Sequence, residues 1–255
     1  MKKILTVIMS LVLVFTLAFS TGCNIGLFMG KYTEVSADEL AEFAQEVETT
    51  EYGEDINYAS GVKMSMKMKA SYDNSKEVKM SMDFKAIERD GDLKMSGEMK
   101  TIAKGDGEKD TIKTEYYYTD GSMYMSMEND DDEQKIKVSM DIDDLVNSMF
   151  GDSEIEMEFS LVDLLDTYGD VSYGDTSVKF SKNERGDKTR IKVEIDSEES
   201  DMTMVLVYNA DKVLIGYKLE AEIDYEGMDM EMELTIKPWS GKVRLPNDLD
   251  TYKGF

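Results

Sequence analysis

From residue 62 onward the chain alternates between apolar and polar side chains. Over 62–70 the even positions are Val62, Met64, Met66, Met68 and Ala70, and the odd ones are Lys63, Ser65, Lys67 and Lys69. A period of two places one set on each face of a strand. The pattern returns in Met80, Met82, Phe84; in Leu93, Met95, Gly97, Met99; in Ile112, Thr114, Tyr116, Tyr118; and in Met123, Met125, Met127. It continues through Ile136, Val138; Val178, Phe180; Ile191, Val193, Ile195; Met202, Met204, Leu206, Tyr208; and the runs 213–225 and 228–236. About eleven strands are predicted.

The turns between these runs supply a test of register, because a slip of one residue would invert every side chain. Asp120-Gly121 as a two-residue primed turn sets Tyr118 opposite Met123 and Tyr116 opposite Met125. Asp90-Gly91 sets Ala86 opposite Met95, Glu226-Gly227 sets Tyr225 opposite Met228, and a loop at 73–75 sets Met68 against Met80. Ala210-Asp211 sets Tyr208 opposite Val213. Apolar positions meet apolar positions at every turn, which predicts one continuous sheet with a single apolar face.

Two stretches have helical spacing instead. Ser36 followed by Glu39 is a capping box, and Leu40, Phe43, Ala44 and Val47 follow at intervals of three and four, predicting a helix over 37–48. Midway, Leu145, Val146, Met149, Phe150 and then Phe159, Leu161, Val162, Leu164, Leu165 predict two short helices over 142–150 and 158–167. The expected fold is α+β and mainly β. It is a curved antiparallel meander, a half-open barrel whose concave face is covered by one N-terminal and two inserted helices.

The N-terminus is an address. Lys2 and Lys3 precede an apolar run from Ile4 to Phe19, which has the length of a signal-peptide core. It ends in Ser20-Thr21-Gly22-Cys23, which resembles the bacterial lipobox, with the sole Cys of the chain where a thiol accepts the lipid. Ser20 stands where that motif usually has Leu, so ordinary cleavage after Ala18-Phe19-Ser20 is the alternative. The expected organisation is a signal peptide over 1–22, a lipidated tether over 23–35 near the bilayer, and one domain over 36–255. Lipidation at Cys23 would hold the protein on the extracytoplasmic face of a bacterial cell membrane. The element order of an exported chain with an N-terminal helix, a long meander and helices inserted midway resembles the Lol lipoprotein carriers and the LppX-type lipoproteins. That resemblance implies a half-barrel that shields acyl chains.

Composition narrows the chemistry. With no His and one Cys, the chain lacks imidazole catalysis and multi-thiolate metal clusters. A net charge of -25 repels nucleic-acid backbones. No catalytic motif occurs, and the carboxylates fall on the wet phase of the strands, so neither an enzyme nor a cofactor is expected. The 21 Met residues invite a soft-metal reading. Met-x-Met spacing on a strand places the sulfurs on the apolar face, which favours core or cavity lining over a metal site.

The expected ligand-lining residues are therefore Met64, Met66, Met68, Met80, Met82, Phe84, Met95, Met99, Tyr116, Tyr118, Met123, Met125, Met204, Leu206, Ile215, Tyr217, Met230 and Met232. Adaptable Met side chains suit a face that accepts apolar or acyl ligands. The expectation is a non-enzymatic monomer carrying such a ligand. The alternative is a structural or interaction module of the cell envelope with a filled core. In the last hairpin Asp224, Glu222 and Glu220 should oppose Asp229, Glu231 and Glu233, a ladder to be offset by solvent screening, by a lysine strand alongside such as that of Lys63, Lys67 and Lys69, by a divalent cation or by a basic protein partner. Tyr117 and Tyr124 form a candidate contact patch on the wet face, and Trp239 is expected to cap the core.

Overall fold

The protein is described by a computed structural model. It covers residues 27–48, 61–72, 76–89, 92–105, 107–129, 132–139, 161, 165, 176–225 and 227–254. The elements are β1 (Thr33–Val35), α1 (Ala37–Glu48), β2 (Val62–Tyr72), β3 (Lys76–Arg89), β4 (Asp92–Gly105), β5 (Glu108–Thr119), β6 (Ser122–Glu128) and β7 (Glu133–Ser139). They continue with β8 (Ser177–Arg185), β9 (Lys188–Asp196), β10 (Ser200–Tyr208), β11 (Leu214–Tyr225), β12 (Met228–Pro238), a 3-10 turn (Leu249–Thr251) and β13 (Lys253–Gly254).

All the strands belong to one open sheet, in the order β1-β8-β9-β10-β11-β12-β2-β3-β4-β5-β6-β7-β13. Its 13 strands exceed the expected eleven by β1 and β13, short edge pieces without the alternation that marks the rest. The sheet is mixed, because β13 runs parallel to β7 while the other pairs are antiparallel. It is not one meander. Two meanders, β2–β7 and β8–β12, join through β12 and β2, so that β7 and β8, consecutive in the chain, lie near opposite edges, beside β13 and β1.

The registers follow the apolar phase. Tyr118 faces Met123, Ala86 faces Met95, Met68 faces Met80 and Tyr225 faces Met228. Asp120 and Gly121 both have positive φ, 50° and 63°, as a primed turn requires. One turn departs from expectation. Tyr208 pairs with Leu214 and not Val213, because Asn209 accepts two backbone N–H groups on its side-chain oxygen, from Asp211 and Val213, and widens the connection. An irregularity follows, with Val207 opposite Gly216, so that Ile215 is the extra residue.

The capping box forms as expected. The Ser36 amide donates to Glu39 Oε2 at 2.8 Å, and the Glu39 amide donates to Ser36 Oγ at 3.2 Å. Leu40, Phe43, Ala44 and Val47 are all buried against the sheet. Phe43 meets Tyr208 edge-on, with ring centroids 5.3 Å apart. Among the described residues α1 is the one α-helix element. The helix expected over 142–150 lies outside the described residues, as does most of that over 158–167. From the latter, Leu161 and Leu165 are helical and pack into the same core.

Candidate functional site

The two faces of the sheet differ in what they offer. On the apolar face Met64, Met66, Met68, Met80 and Met82 are 2–8% exposed, in one core with Met204, Leu206, Tyr217, α1 and Leu161. Met99, Met230 and Met232 pack against its margin. Phe84 bridges to a smaller cluster of Met95 and Tyr118, which Met123 adjoins. Toward β6 the cover thins, and Tyr116, Met123 and Met125 are only half-buried. Thus all the expected lining residues but one share a face, and the centre of that face is occupied by the protein's own side chains.

Ile215 is the exception. The irregularity at the β10–β11 turn rotates it to the opposite face, where it packs with Val205, Val207, Leu27 and Phe28. Residues 27–35, expected as a tether, are thus part of the folded body. Buried Arg190 fixes them, donating from Nε to the Leu27 carbonyl at 2.6 Å, while Asn183 donates to the Lys31 carbonyl at 2.8 Å.

The polar face carries two hollows. The larger, about 750 Å³, spans β10 to β4. The register sets Asp224, Glu222 and Glu220 against Asp229, Glu231 and Glu233, as the sequence implied. The answer to that ladder is the neighbouring strand. β2 places Lys69 beside Glu231 and Lys67 beside Glu233, the latter pair at 3.3 Å. The Glu231 carboxylate hydrogen-bonds Lys69 and raises the pKa of its ammonium. The hollow is consequently polarised, with Asp201, Glu220 and Glu222 on one bank and Lys79 and Lys100 on the other. Among the described residues no group of three or more acidic or thiol side chains is placed to hold a metal ion.

A strap crosses the other end of the polar face. After β12 the Trp239 amide donates to the Gly61 carbonyl, and Lys85 Nζ stands 5.9 Å from the indole centroid. Trp239 therefore lies on the polar face and does not cap the core. Farther on, Tyr252 meets Tyr124 edge-on at 5.6 Å. The expected Tyr117 and Tyr124 neighbours are opposite each other, but the chain's own C-terminal segment takes up Tyr124, which is 8% exposed. Tyr117 donates to Glu115 Oε2 at 2.8 Å, and burial pushes its phenol up, with that carboxylate adding to the rise. The second hollow, about 520 Å³, lies between this strap and β2–β5.

Lys135 clasps the far end of the strap, 2.9 Å from Asp248. The hydrogen bond to Asp248 raises the Lys135 pKa, helped by Glu133, and the same bond lowers that of Asp248. A lowered carboxyl contributes stability above its unfolded value and loses it as pH falls through the folded one. A raised ammonium contributes below its unfolded value and loses it as pH rises through the folded one. The clasp should hold across neutral pH and loosen in acid. At pH 7.5 the Asp248→Asn variant should imitate acid, with faster tryptic cleavage after Arg244; an unchanged rate would show that the clasp does not hold the strap.

No protein-family model matches the chain, and no curated protein matches it. Among solved structures the C. crescentus beta sliding clamp, crystallised with PEG bound, aligns over 86% of this chain and 67% of that one at 8% identity. Its TM-score of 0.14 carries no argument about fold or function.

Proposed function

We propose that this protein is a lipid-anchored, extracytoplasmic and non-enzymatic lipoprotein that serves as an interaction module of the cell envelope, working through the polar face of its sheet. The observation that carries this reading is the division of the two faces. The methionine face is packed under α1 and Leu161, whereas the hollows of about 750 Å³ and 520 Å³ open among charged side chains on the other side. The acidic bank of Asp201, Glu220 and Glu222 suits a basic partner segment, with the lysine bank excluding the wrong orientation.

The anchor is read from Cys23, only four residues before Leu27. Because Leu27 is docked on the body, a lipidated Cys23 would hold the domain within roughly 14 Å of its attachment point, at about 3.5 Å per residue. Replacing Cys23 with Ser should move the protein from the membrane fraction to the soluble exported fraction. Retention in the membrane would refute the anchor.

A second reading, a carrier of apolar or acyl ligands, is favoured by the thinner cover near β6. There Met99, Tyr116, Met123 and Met125 are half-buried and Ile112 is 41% exposed.

A further inference from the structure

We propose that the hollow beneath the C-terminal strap is an anion site that takes a phosphate ester. On a chain of net charge -25, this is where cations converge. Lys237, Lys63 and Lys85 stand directly opposite one another on β12, β2 and β3, an arrangement of like charges that weakens a sheet unless something compensates it. The strap then adds Lys242 and Arg244 as a roof over Lys63 and Lys85.

The acids lining the same hollow are already engaged. Asp83 lies 3.0 Å from Lys63 and accepts the Ser65 hydroxyl at 2.7 Å. Partial burial raises the Asp83 carboxyl, but those two partners outweigh it and hold it below its ordinary value. Glu115 accepts from Lys113 and Tyr117, and Glu98 is 3.8 Å from Lys113. Among the described residues Lys85, Lys242 and Arg244 have no carboxylate within 4 Å. Ser81 and Ser96 add hydroxyls to the wall.

The chemistry follows from this set. Arg presents a planar fork that matches phosphate oxygens in pairs, and lysines supply point charges around it. A hollow of about 520 Å³ exceeds a lone inorganic anion and leaves room for the organic part of an ester. The same headgroup chemistry occurs in a free phosphate ester and in an anionic phospholipid.

The chain carries its own reporter. Trp239 is its single tryptophan, and an anion that draws Lys85 away from the indole should change its emission. The full lipidated protein in dodecylmaltoside micelles is titrated in one arm with inorganic pyrophosphate and glycerol 3-phosphate. In the other, the micelles carry phosphatidylglycerol or, as control, phosphatidylcholine. A saturable change with the soluble phosphates assigns a free ester, and one with phosphatidylglycerol alone assigns a lipid headgroup. Either must weaken at least tenfold in Lys242→Gln/Arg244→Gln, which leaves the Lys85–Trp239 reporter in place, and stay intact in Lys79→Gln/Lys100→Gln, which alters only the larger hollow. Arg244→Gln, on the exposed strap, serves alone if the double variant misfolds. No saturable change to 10 mM in either arm, an equal response to phosphatidylcholine, or a response that survives Arg244→Gln overturns the site.

Discussion

Met66→Asp should abolish the cooperative folding of this protein, or lower its melting temperature by at least 10 °C. Met66 is 4% exposed and stands between Leu234 on one neighbouring strand and Met82 on the other. An aspartate there would bring a charge among thioether and aliphatic side chains, at several kcal/mol even after local relaxation. Loss of the buried methionine packing adds about 2 kcal/mol or more. Against a typical total of about 5–15 kcal/mol, that sum is decisive. The same change at Met125 sits on a half-buried strand position and should cost only about 1–2 kcal/mol, or about 2–8 °C. Thermal denaturation of the two variants reads the difference. A mild effect at Met66 would mean that the centre of the methionine face is open.

Arg190→Met should release the N-terminal segment from the body while leaving the sheet folded. Arg190 is 5% exposed and its Nε bond to the Leu27 carbonyl is charge-assisted, a class worth about 1.5–3 kcal/mol. Its Nη1 also reaches Asn183 Oδ1 at 3.3 Å, and Asn183 in turn holds the Lys31 carbonyl. Methionine keeps much of the volume and removes all of these bonds. Hydrogen exchange should then accelerate across residues 27–35, with β10–β12 still protected, and overall stability should fall by about 2–3 kcal/mol. Unchanged protection of 27–35 would show that the apolar contacts of Leu27 and Phe28 hold the segment unaided.

Much of the sheet was legible in the alternation because its strands have one dry and one wet face, the arrangement in which a period of two is strongest. The capping box at Ser36 and the primed turn at Asp120 are local signals, and local structure obeys them. The charge pattern offered the β12–β2 pairing as one of several answers to the acidic ladder, and the register selects it. What escaped is mostly non-local, with one local exception at the Asn209 turn. Nothing in the phase of β7 and β8 says that they lie near opposite edges, each one strand in, next to β13 and β1. Ile215 was misplaced because one Asn209 side chain lengthens a turn and so shifts the strand register beyond it.

The covered patches escaped for the same reason. Ser122, Tyr124 and Ser126 are in the wet phase of β6 yet buried, while Met123 and Met125 beside them are half-buried. Residues 239–254 lack any alternation that would announce where they lie. Their signal, seen afterwards, is Trp239 and Tyr252, whose partners on the sheet are Lys85 and Tyr124, with Lys242 and Arg244 between them. The opposed lysines of β12, β2 and β3 could have been noticed from the register alone, since Lys63 and Lys85 are on the wet phase of adjacent strands.

The central claim is that the methionine face is filled by the protein itself and that binding belongs to the polar face. Mass spectrometry of lipids extracted from the natively purified protein, with the covalent anchor counted separately, tests it most directly. The account predicts no non-covalent acyl ligand whose retention depends on the methionine face: any lipid that co-purifies should be held equally by Met99→Asp and Met125→Asp. One equivalent of fatty acid or phospholipid, lost in a Met99→Asp or Met125→Asp variant that still folds, would contradict it and establish the carrier.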